Sequence, residues 1–203
     1  MAWCYYDKKY PLLHYKFREM DGSSWYMFSI PVKNLVDVYK SYYGRLPGCF
    51  FDCGAAVGEL IRQAEDQGIA ATGIDIKRYP TNFPTLQKYE KYFASGQIQI
   101  KSILDCAPVH ADLAYCNGTL TYMNEQTLPL ALAKFKNVGM LIAIHNTTED
   151  IAAAREMGEQ LLHSEPRLIR SNQWWLDTFK QNGFRAEINP QINAFCLIPE
   201  KIK

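Results

Sequence analysis

Residues 50–60 read FFDCGAAVGEL, and this stretch decides the fold of the chain. Two aromatic residues run into Asp52, and Gly54 and Gly58 follow with apolar residues between them. Glycine adopts left-handed backbone easily and lets a ligand or a neighbouring strand approach the main chain. Such turns bind ligands in doubly wound sheets, outside the carboxyl ends of the strands. The stretch therefore predicts a buried strand, a ligand-binding turn and the beginning of a helix.

Strand and helix patterns alternate on both sides of this turn. A first helix is predicted from Pro31 to Gly44, with Ser29 as its expected cap. Further strands are predicted at 69–75, 97–103, 111–116 and 140–145, and further helices at 59–67, 85–94, 126–136 and 150–162. Single helices between strands form right-handed crossovers, so we expect parallel strands with helices on both faces.

The end of the chain breaks this parallel pattern. A helix capped by Ser171 is predicted to end at Gly183, and strands are predicted at 184–188 and 194–198. The linker NPQIN between those strands is too short for a crossover, which needs a dozen or more residues. The last two strands are therefore expected to be antiparallel.

An acid ends each of the first two predicted strands of this alternating region. Asp52 ends the first predicted strand and Asp75 ends the second. A carboxylate at the second position could accept hydrogen bonds from both hydroxyls of a ribose. A dinucleotide site would need the pattern G-x-G-x-x-G, which is missing here, and Asp52 would repel a diphosphate. The pattern therefore predicts a cofactor that contains a nucleoside and disfavours a nicotinamide oxidoreductase.

The pattern of residues 50–58, two apolar residues followed by Asp-x-Gly-x-x-x-Gly, closely resembles motif I of the class I S-adenosylmethionine-dependent methyltransferases. Residues 73–75 resemble the family's next motif, and the resemblance extends from about residue 32 to residue 198. It implies an α/β methyltransferase domain over residues 31–203. The implied fold is a Rossmann-like, doubly wound, seven-stranded sheet of order 3-2-1-4-5-7-6, with the last strand antiparallel and helices on both faces.

The resemblance also implies S-adenosylmethionine as the cofactor. In the family the glycine turn lies beneath the amino-acid part of the cofactor, the first acid approaches the amino group, and the second acid holds the ribose. The implied cofactor-binding residues are Asp52, Cys53, Gly54, Ala55, Gly58, Asp75, Ile76, Ser102, Ile103 and Asn117. Within KSILD, residues 101–105, either Ser102 or Asp105 could contact the adenine amino group.

The loop NGTLTY, residues 117–122, corresponds to the family segment that borders the transferred methyl group. Asn117 and Tyr122 on this loop, together with His145 at the end of the fifth strand, are expected to surround the acceptor atom. Only histidine has an ordinary pKa near neutrality, about 6.5, so His145 is the predicted catalytic base. Tyr122 is predicted to orient the nucleophile. A simple hydrogen bond from His145 to a neighbouring carbonyl remains the alternative.

Residues 1–30 are dense in aromatic residues and follow neither a strand nor a helix period. They are predicted to form an irregular extension over the core, acting as a lid on the acceptor pocket. The six cysteines and four histidines are dispersed, so we predict neither a disulfide framework nor a metal site. The chain shows no signal core or membrane-spanning run, which predicts a cytoplasmic protein without a membrane partner.

Three functions fit these features. The first is a methyltransferase for a small or medium-sized acceptor, favoured by 22 basic against 21 acidic residues, a balance that does not indicate nucleic acid. The second is an RNA or protein methyltransferase that grips its polymer through Lys8, Lys9, Lys16 and Arg18. The third is a non-catalytic nucleoside-binding subunit. The motifs of exocyclic-amine and cytosine-C5 nucleic-acid methyltransferases are missing, and no particular oligomeric state is implied.

Overall fold

The structure is a computed structural model that describes residues 13–18, 24–78, 87–145, 147–156 and 168–200. Its strands are β1 (Leu13–Arg18), β2 (Ser24–Ser29), β3 (Cys49–Cys53), β4 (Ala70–Asp75), β5 (Ile98–Ile100), β6 (His110–Asn117), β7 (Asn137–Ile144), β8 (Phe184–Asn189) and β9 (Ala194–Pro199). Its α-helices are α1 (Val32–Tyr43), α2 (Glu59–Glu65), α3 (Glu90–Ala94), α4 (Leu128–Ala133), α5 (Thr148–Glu156) and α6 (Asn172–Gln181). Short 3₁₀ turns cover Gln87–Tyr89, Ile103–Asp105 and Thr119–Tyr122.

Seven of these strands form one mixed sheet in the order β5-β4-β3-β6-β7-β9-β8. The strands from β3 to β7 pair in parallel, whereas β9 runs antiparallel to both β7 and β8. Counted from β3, the first strand of this sheet, the order is 3-2-1-4-5-7-6. The predicted fold class and the antiparallel direction of the last strand are confirmed.

Helices cover both faces of the sheet because the buried strands are apolar on both sides. On β7, Met140 and Ile142 belong to a core cluster that includes residues of α1 and α2. The next residue after each of these, Leu141 and Ala143, belongs to a second cluster with residues of α4 and α6. This alternation is what the period of two along a strand dictates, and it confirms the predicted helices on both faces.

Several elements differ in length from their predictions. The strand predicted at 97–103 spans Ile98–Ile100 and gives way to the 3₁₀ turn, and the helix predicted at 126–136 spans Leu128–Ala133. The beginning of the helix predicted at 85–94 and the end of the one predicted at 150–162 lie outside the described residues. Ser171 caps α6 as predicted, because its side chain accepts a hydrogen bond from the Trp174 N–H at 3.1 Å. No helix in the described segments is long and apolar enough to cross a membrane.

The N-terminal segment is more regular than its sequence indicated. Strands β1 and β2 form a separate two-stranded antiparallel sheet, so the prediction of an irregular extension was wrong for 13–18 and 24–29. Residues 1–12 and 19–23 lie outside the described part of the chain. The prediction that Ser29 caps the first helix was also wrong, since Pro31 occupies the cap position. The Ser29 hydroxyl instead donates a hydrogen bond to the Tyr115 hydroxyl at 3.1 Å.

A close approach between β6 and β7 depends on Gly139. A Cβ built on this glycine would lie 2.5 Å from the Asp112 carbonyl oxygen, which belongs to the backbone of the neighbouring strand. The Gly139 carbonyl also accepts a hydrogen bond from the Tyr43 hydroxyl at 2.6 Å, which ties the end of α1 to the same place. The spacing of these two strands therefore leaves no room for a side chain.

We expect Gly139→Ala to lower the free energy of unfolding by about 1–3 kcal/mol, because a paired backbone cannot move away from an added methyl group. Gly48→Ala is the matched control, since its Cβ would meet only the Asp112 side chain, at 3.2 Å. Urea unfolding of both variants measures the difference. A loss in Gly139→Ala no larger than the loss in the control would contradict the prediction.

Candidate functional site

A cavity of about 410 Å³ opens where the carboxyl ends of the parallel strands meet. Ten of the twelve predicted site residues line it, namely Asp52, Cys53, Gly54, Ala55, Asp75, Ile76, Ile103, Asn117, Tyr122 and His145. Gly58 and Ser102 do not line it. The switch point of the sheet lies between β3 and β6, where the strand order reverses, and this is the position at which doubly wound sheets bind ligands.

The turn after β3 is held in an unusual backbone conformation. Gly54 has a φ of +93°, and the N–H groups of Gly54 and Ala55 both donate to the Ile74 carbonyl at 2.9 Å. A Cβ on Gly54 would collide with the Thr119 hydroxyl, which itself donates to the Cys53 carbonyl at 2.9 Å. Both the backbone angle and the lack of space therefore require glycine at position 54.

Ala56 in the same turn has a strained backbone conformation, which allows its N–H to form one hydrogen bond. Its φ of +48° is rare for a residue with a side chain and costs on the order of 1–3 kcal/mol. In this conformation its N–H donates to Asp75 Oδ2 at 2.8 Å, while the Lys77 N–H donates to Oδ1 at 3.2 Å. A carboxylate has about four lone-pair positions. Asp75 is thus fixed in place and still able to accept hydrogen bonds from a ligand.

Asp52 lies beside this turn and is only 3% exposed. Burial, and secondarily the charge of Asp75, raises the pKa of Asp52 to about 8. The carboxyl group is therefore mainly protonated at pH 7 in the ligand-free protein. A cation placed next to Asp52 would favour the ionised form and lower this pKa, so the geometry suits a positively charged group on the ligand.

Gly58 and Ser102 serve the packing around the cavity rather than its lining. A Cβ on Gly58, whose φ is +94°, would lie 2.7 Å from Ile98 Cδ1, so this glycine lets the start of α2 pack on β5. Ser102 caps the 3₁₀ turn after it by accepting a hydrogen bond from the Leu104 N–H at 3.2 Å. Asp105 is exposed and does not line the cavity either. Neither residue predicted to contact adenine thus reaches the cavity wall, whereas Lys101 and Ile103 do.

His145 lies at the opposite end of the cavity and is 2% exposed. Its ring stacks on Trp175 with the centroids 4.1 Å apart, and neither ring nitrogen has a hydrogen-bond partner of normal geometry among the described residues. Burial lowers the pKa of His145 to about 3. The ordinary value near 6.5, on which the prediction of a base rested, therefore does not apply, and the ring is neutral at pH 7.

Tyr122 and Asn117 border the cavity on the β6 side. Asn117 ends β6 and pairs in register with Ile144 of β7. Tyr122 ends the 3₁₀ turn and is 47% exposed, which places it at the rim. The structure thus brings both residues to the same end of the cavity as His145.

Sequence reasoning missed Tyr115, which also lines the cavity. Tyr115 pairs in register with Asp52 across β3 and β6, and its hydroxyl accepts hydrogen bonds from Ser29 Oγ and the Ile30 N–H. Burial raises the pKa of Tyr115 well above its usual value. The available signal was the strand period of two, because a strand that turns Asn117 toward the cavity also turns Tyr115 toward it.

No family model matches this chain. No curated protein matches it in sequence either. Solved structures match it in fold, at low sequence identity. PigF, solved with S-adenosylhomocysteine (SAH), has a TM-score of 0.57 and 19% identity, covering 86% of this chain and 62% of PigF. The small RNA methyltransferase HEN1 has a TM-score of 0.62 and 12% identity, covering 85% of this chain and 25% of HEN1.

A third similar structure matches over most of both chains. Magnesium protoporphyrin IX methyltransferase from Synechocystis PCC 6803, solved with SAH, has a TM-score of 0.54 and 18% identity, with 83% of each chain covered. The present chain spans about three fifths of PigF and a quarter of HEN1. Strand order, strand direction and these similarities agree. The chain has the fold of the class I S-adenosylmethionine-dependent methyltransferases.

Proposed function

We propose that this chain is an S-adenosylmethionine-dependent methyltransferase whose cofactor binds in the cavity above β3 and β4. One observation carries the proposal: Asp52 and Asp75 lie at the carboxyl ends of adjacent strands, as the last residue but one of β3 and the last of β4, and the strained turn after β3 directs its Ala56 N–H to Asp75. Backbone strain of this kind persists where the surrounding structure enforces it, commonly at binding sites. The SAH-bound structures of similar fold support the same cofactor.

The residues present suit the three parts of this cofactor. The buried Asp52 carboxyl would pair with the amino group of the methionine part, which compensates for the burial of its charge. Asp75 would accept hydrogen bonds from the ribose hydroxyls. Ile76 is 71% exposed and Ile103 is buried, and both line the cavity, so they offer apolar contact to the adenine ring.

The main chemical role of the protein would be to align the acceptor with the methyl group of the cofactor. S-adenosylmethionine, when bound, would supply a methyl group on a sulfonium: the acceptor would bond to the methyl carbon in line with the S–C bond, whose electron pair would stay on sulfur as a neutral thioether. The enclosing residues would exclude water and hold the acceptor in line, with Tyr122 orienting it from the rim. A general base is needed only where the methylated atom has to lose a proton, and the lowered pKa of His145 makes its ring a weak base for that role.

A small or medium-sized acceptor is the first choice. The nearly balanced charge of the chain gives little attraction for a polyanion, and one structurally similar enzyme is named for a porphyrin. An RNA acceptor is the alternative, since HEN1 is named for small RNA. Steep loss of turnover with added salt would favour the RNA acceptor. Failure to bind any adenosyl cofactor would favour a non-catalytic subunit.

Residues 1–30 are proposed to cover the acceptor end of the cavity. Ser29, the last residue of β2, lines the cavity and donates a hydrogen bond to Tyr115. The segment that leads to Ser29 therefore reaches the site, and its separate two-stranded sheet can act as a cover.

The cofactor site predicts specific losses of SAH affinity. Asp75→Ala should weaken SAH binding on the order of tenfold to a hundredfold, the usual effect of losing a charge-assisted hydrogen bond. Gly54→Val should abolish binding, because the side chain has no space. Isothermal titration calorimetry measures both. The matched controls are Asp37→Ala, at a partly exposed position on α1, and Gly96→Val, at a glycine with φ +76° and open space around it.

The controls separate loss of the site from loss of the fold. Both control variants should bind SAH like the wild type. If Asp75→Ala and Gly54→Val remain folded and also bind SAH with unchanged affinity, the cofactor does not lie in this cavity.

Cofactor binding should release a proton from Asp52. The pKa of Asp52 is about 8 in the free protein, and a cationic amine beside it lowers this pKa, so the carboxyl ionises on binding. SAH affinity should therefore rise with pH from about 6 to about 7.5, by at most about tenfold per unit. Calorimetry in buffers that differ in ionisation enthalpy measures the number of protons released for each SAH molecule bound.

Two comparisons test the origin of this proton. Asp52→Asn should abolish the release and flatten the pH dependence. 5′-Methylthioadenosine, which has no amino-acid part, should release no proton from the wild-type protein. An equal release in the Asn variant would assign the proton to another group.

Deleting residues 1–28 should leave SAH affinity within about threefold, because the cofactor contacts proposed here come from β3, β4 and the turns after them. Acceptor methylation should fall strongly once the cover is removed. Calorimetry and a methyl-transfer assay measure the two effects. A truncated chain that does not fold would show that the segment is part of the core.

A further inference from the structure

The cavity is divided into a charged and an uncharged half. Among the described lining residues, those with an acidic or basic side chain are Asp52, Glu59, Asp75, Lys77 and Lys101, and all lie on β3 or β4 or in the segments after β3, β4 and β5. The lining contributed by β6, β7 and the loops after them contains no charged side chain in the described part of the chain. Because these strands lie side by side in the order β5-β4-β3-β6-β7, the two halves lie at opposite ends of the cavity.

His145 is the distinctive group of the uncharged half. Both of its ring nitrogens are buried without a hydrogen-bond partner of normal geometry among the described residues, which is rare and costs free energy. The Ile144 backbone is close enough to act on the ring, but it forms no hydrogen bond of normal geometry with it. The neighbouring hydroxyls already have partners, since Thr121 Oγ1 donates to the Gly118 carbonyl at 2.6 Å and Thr119 Oγ1 donates to Cys53. Among the described residues, the buried side-chain nitrogens without a partner are the two of His145 and Trp175 Nε1, and of these two residues only His145 lines the cavity.

The ring is also held in a fixed orientation. It stacks on Trp175 at 4.1 Å and lies 5.4 Å from Phe195 and 5.9 Å from Phe179. Aromatic neighbours cannot satisfy the ring nitrogens with strong hydrogen bonds. Burial keeps the pKa of His145 low, so the ring is neutral and offers one N–H donor and one bare nitrogen acceptor. The ring therefore suits a ligand group that can both donate and accept a hydrogen bond.

We propose that His145 binds the methyl acceptor, and that this acceptor is an uncharged molecule with a hydroxyl group. A hydroxyl donates to the bare nitrogen or accepts from the N–H. The described residues offer no counter-charge at this end, and burying a charged acceptor against them alone would be strongly unfavourable. This proposal rests on the proposed function, which assigns the other half of the cavity to the cofactor. It disfavours acceptors that carry a phosphate group.

Four benzene derivatives of similar size test this inference. Phenol carries a hydroxyl group, and anisole has a methyl group in place of the hydroxyl proton. Benzoate is an anion and benzylammonium is a cation. Each is titrated at pH 7 into protein labelled with ¹⁵N in its four histidines, with and without SAH. The ring-nitrogen resonances of His145, identified by their loss in His145→Phe, report contact at this ring rather than elsewhere in the cavity.

Phenol is expected to shift the His145 resonances with a Kd at least tenfold below those of the other three compounds, because a site built for a hydroxyl rejects analogues that lack it. In His145→Phe, which keeps an aromatic ring against Trp175, phenol should bind no better than anisole. His145→Gln retains a donor and an acceptor and should keep part of the preference. The control His110→Phe, at an exposed histidine outside the cavity, should behave like the wild type.

Several results would overturn the inference. These are benzoate or benzylammonium binding as tightly as phenol, anisole binding as tightly as phenol, or a phenol preference that persists in His145→Phe. Failure of SAH to bind would instead contradict the proposed function, and the titrations without SAH would still decide whether His145 selects an uncharged hydroxyl. If His145→Phe does not fold, a phenol-to-anisole ratio unchanged in His145→Gln would count against the inference.

Discussion

The hydrogen bond from the Ala56 N–H to the Asp75 carboxylate fixes the geometry on which the site depends. It joins the turn after β3 to the end of β4, and it forms only because Ala56 accepts a left-handed backbone. The N–H groups of Gly54 and Ala55 strengthen the same junction through the Ile74 carbonyl. A charge-assisted hydrogen bond in a buried place is strong enough to offset backbone strain of this size. The two acids at the strand ends are thereby held in a constant relation to each other.

The division of the cavity follows from the strand order. The chain builds β3, β4 and β5 outward in one direction and then returns to place β6 and β7 on the other side of β3. The first three strands and the segments after them supply the acidic and basic side chains, and the other two strands and the segments after them supply hydroxyls, an amide and the imidazole. A molecule with a cationic amine and a ribose suits one side, and an uncharged molecule suits the other. The topology thus separates two kinds of recognition within one cavity.

Local periodicity and a short motif were enough to predict the turn and both acids, whereas the sheet order was implied by the resemblance to the methyltransferase family. The sequence did not predict the contact of Ser29 with Tyr115, whose partners are 86 residues apart. It also assigned His145 an ordinary pKa, since residue type says nothing of the burial that Trp175 and α6 provide. Gly58 and Ser102 lie close to the turn and strand that were identified, but their packing roles depend on Ile98 and on the 3₁₀ turn. Long-range packing accounts for each of these differences.

The position of β9 between β7 and β8 has a consequence for synthesis of the chain. β7 is almost entirely buried and apolar, and one of its two edges pairs only with β9, which ends at Pro199. During translation this edge stays unpaired until the residues of β9 have left the ribosome. An open apolar strand edge readily pairs with other chains. Pairing with β9 therefore removes an edge through which the nascent chain could aggregate.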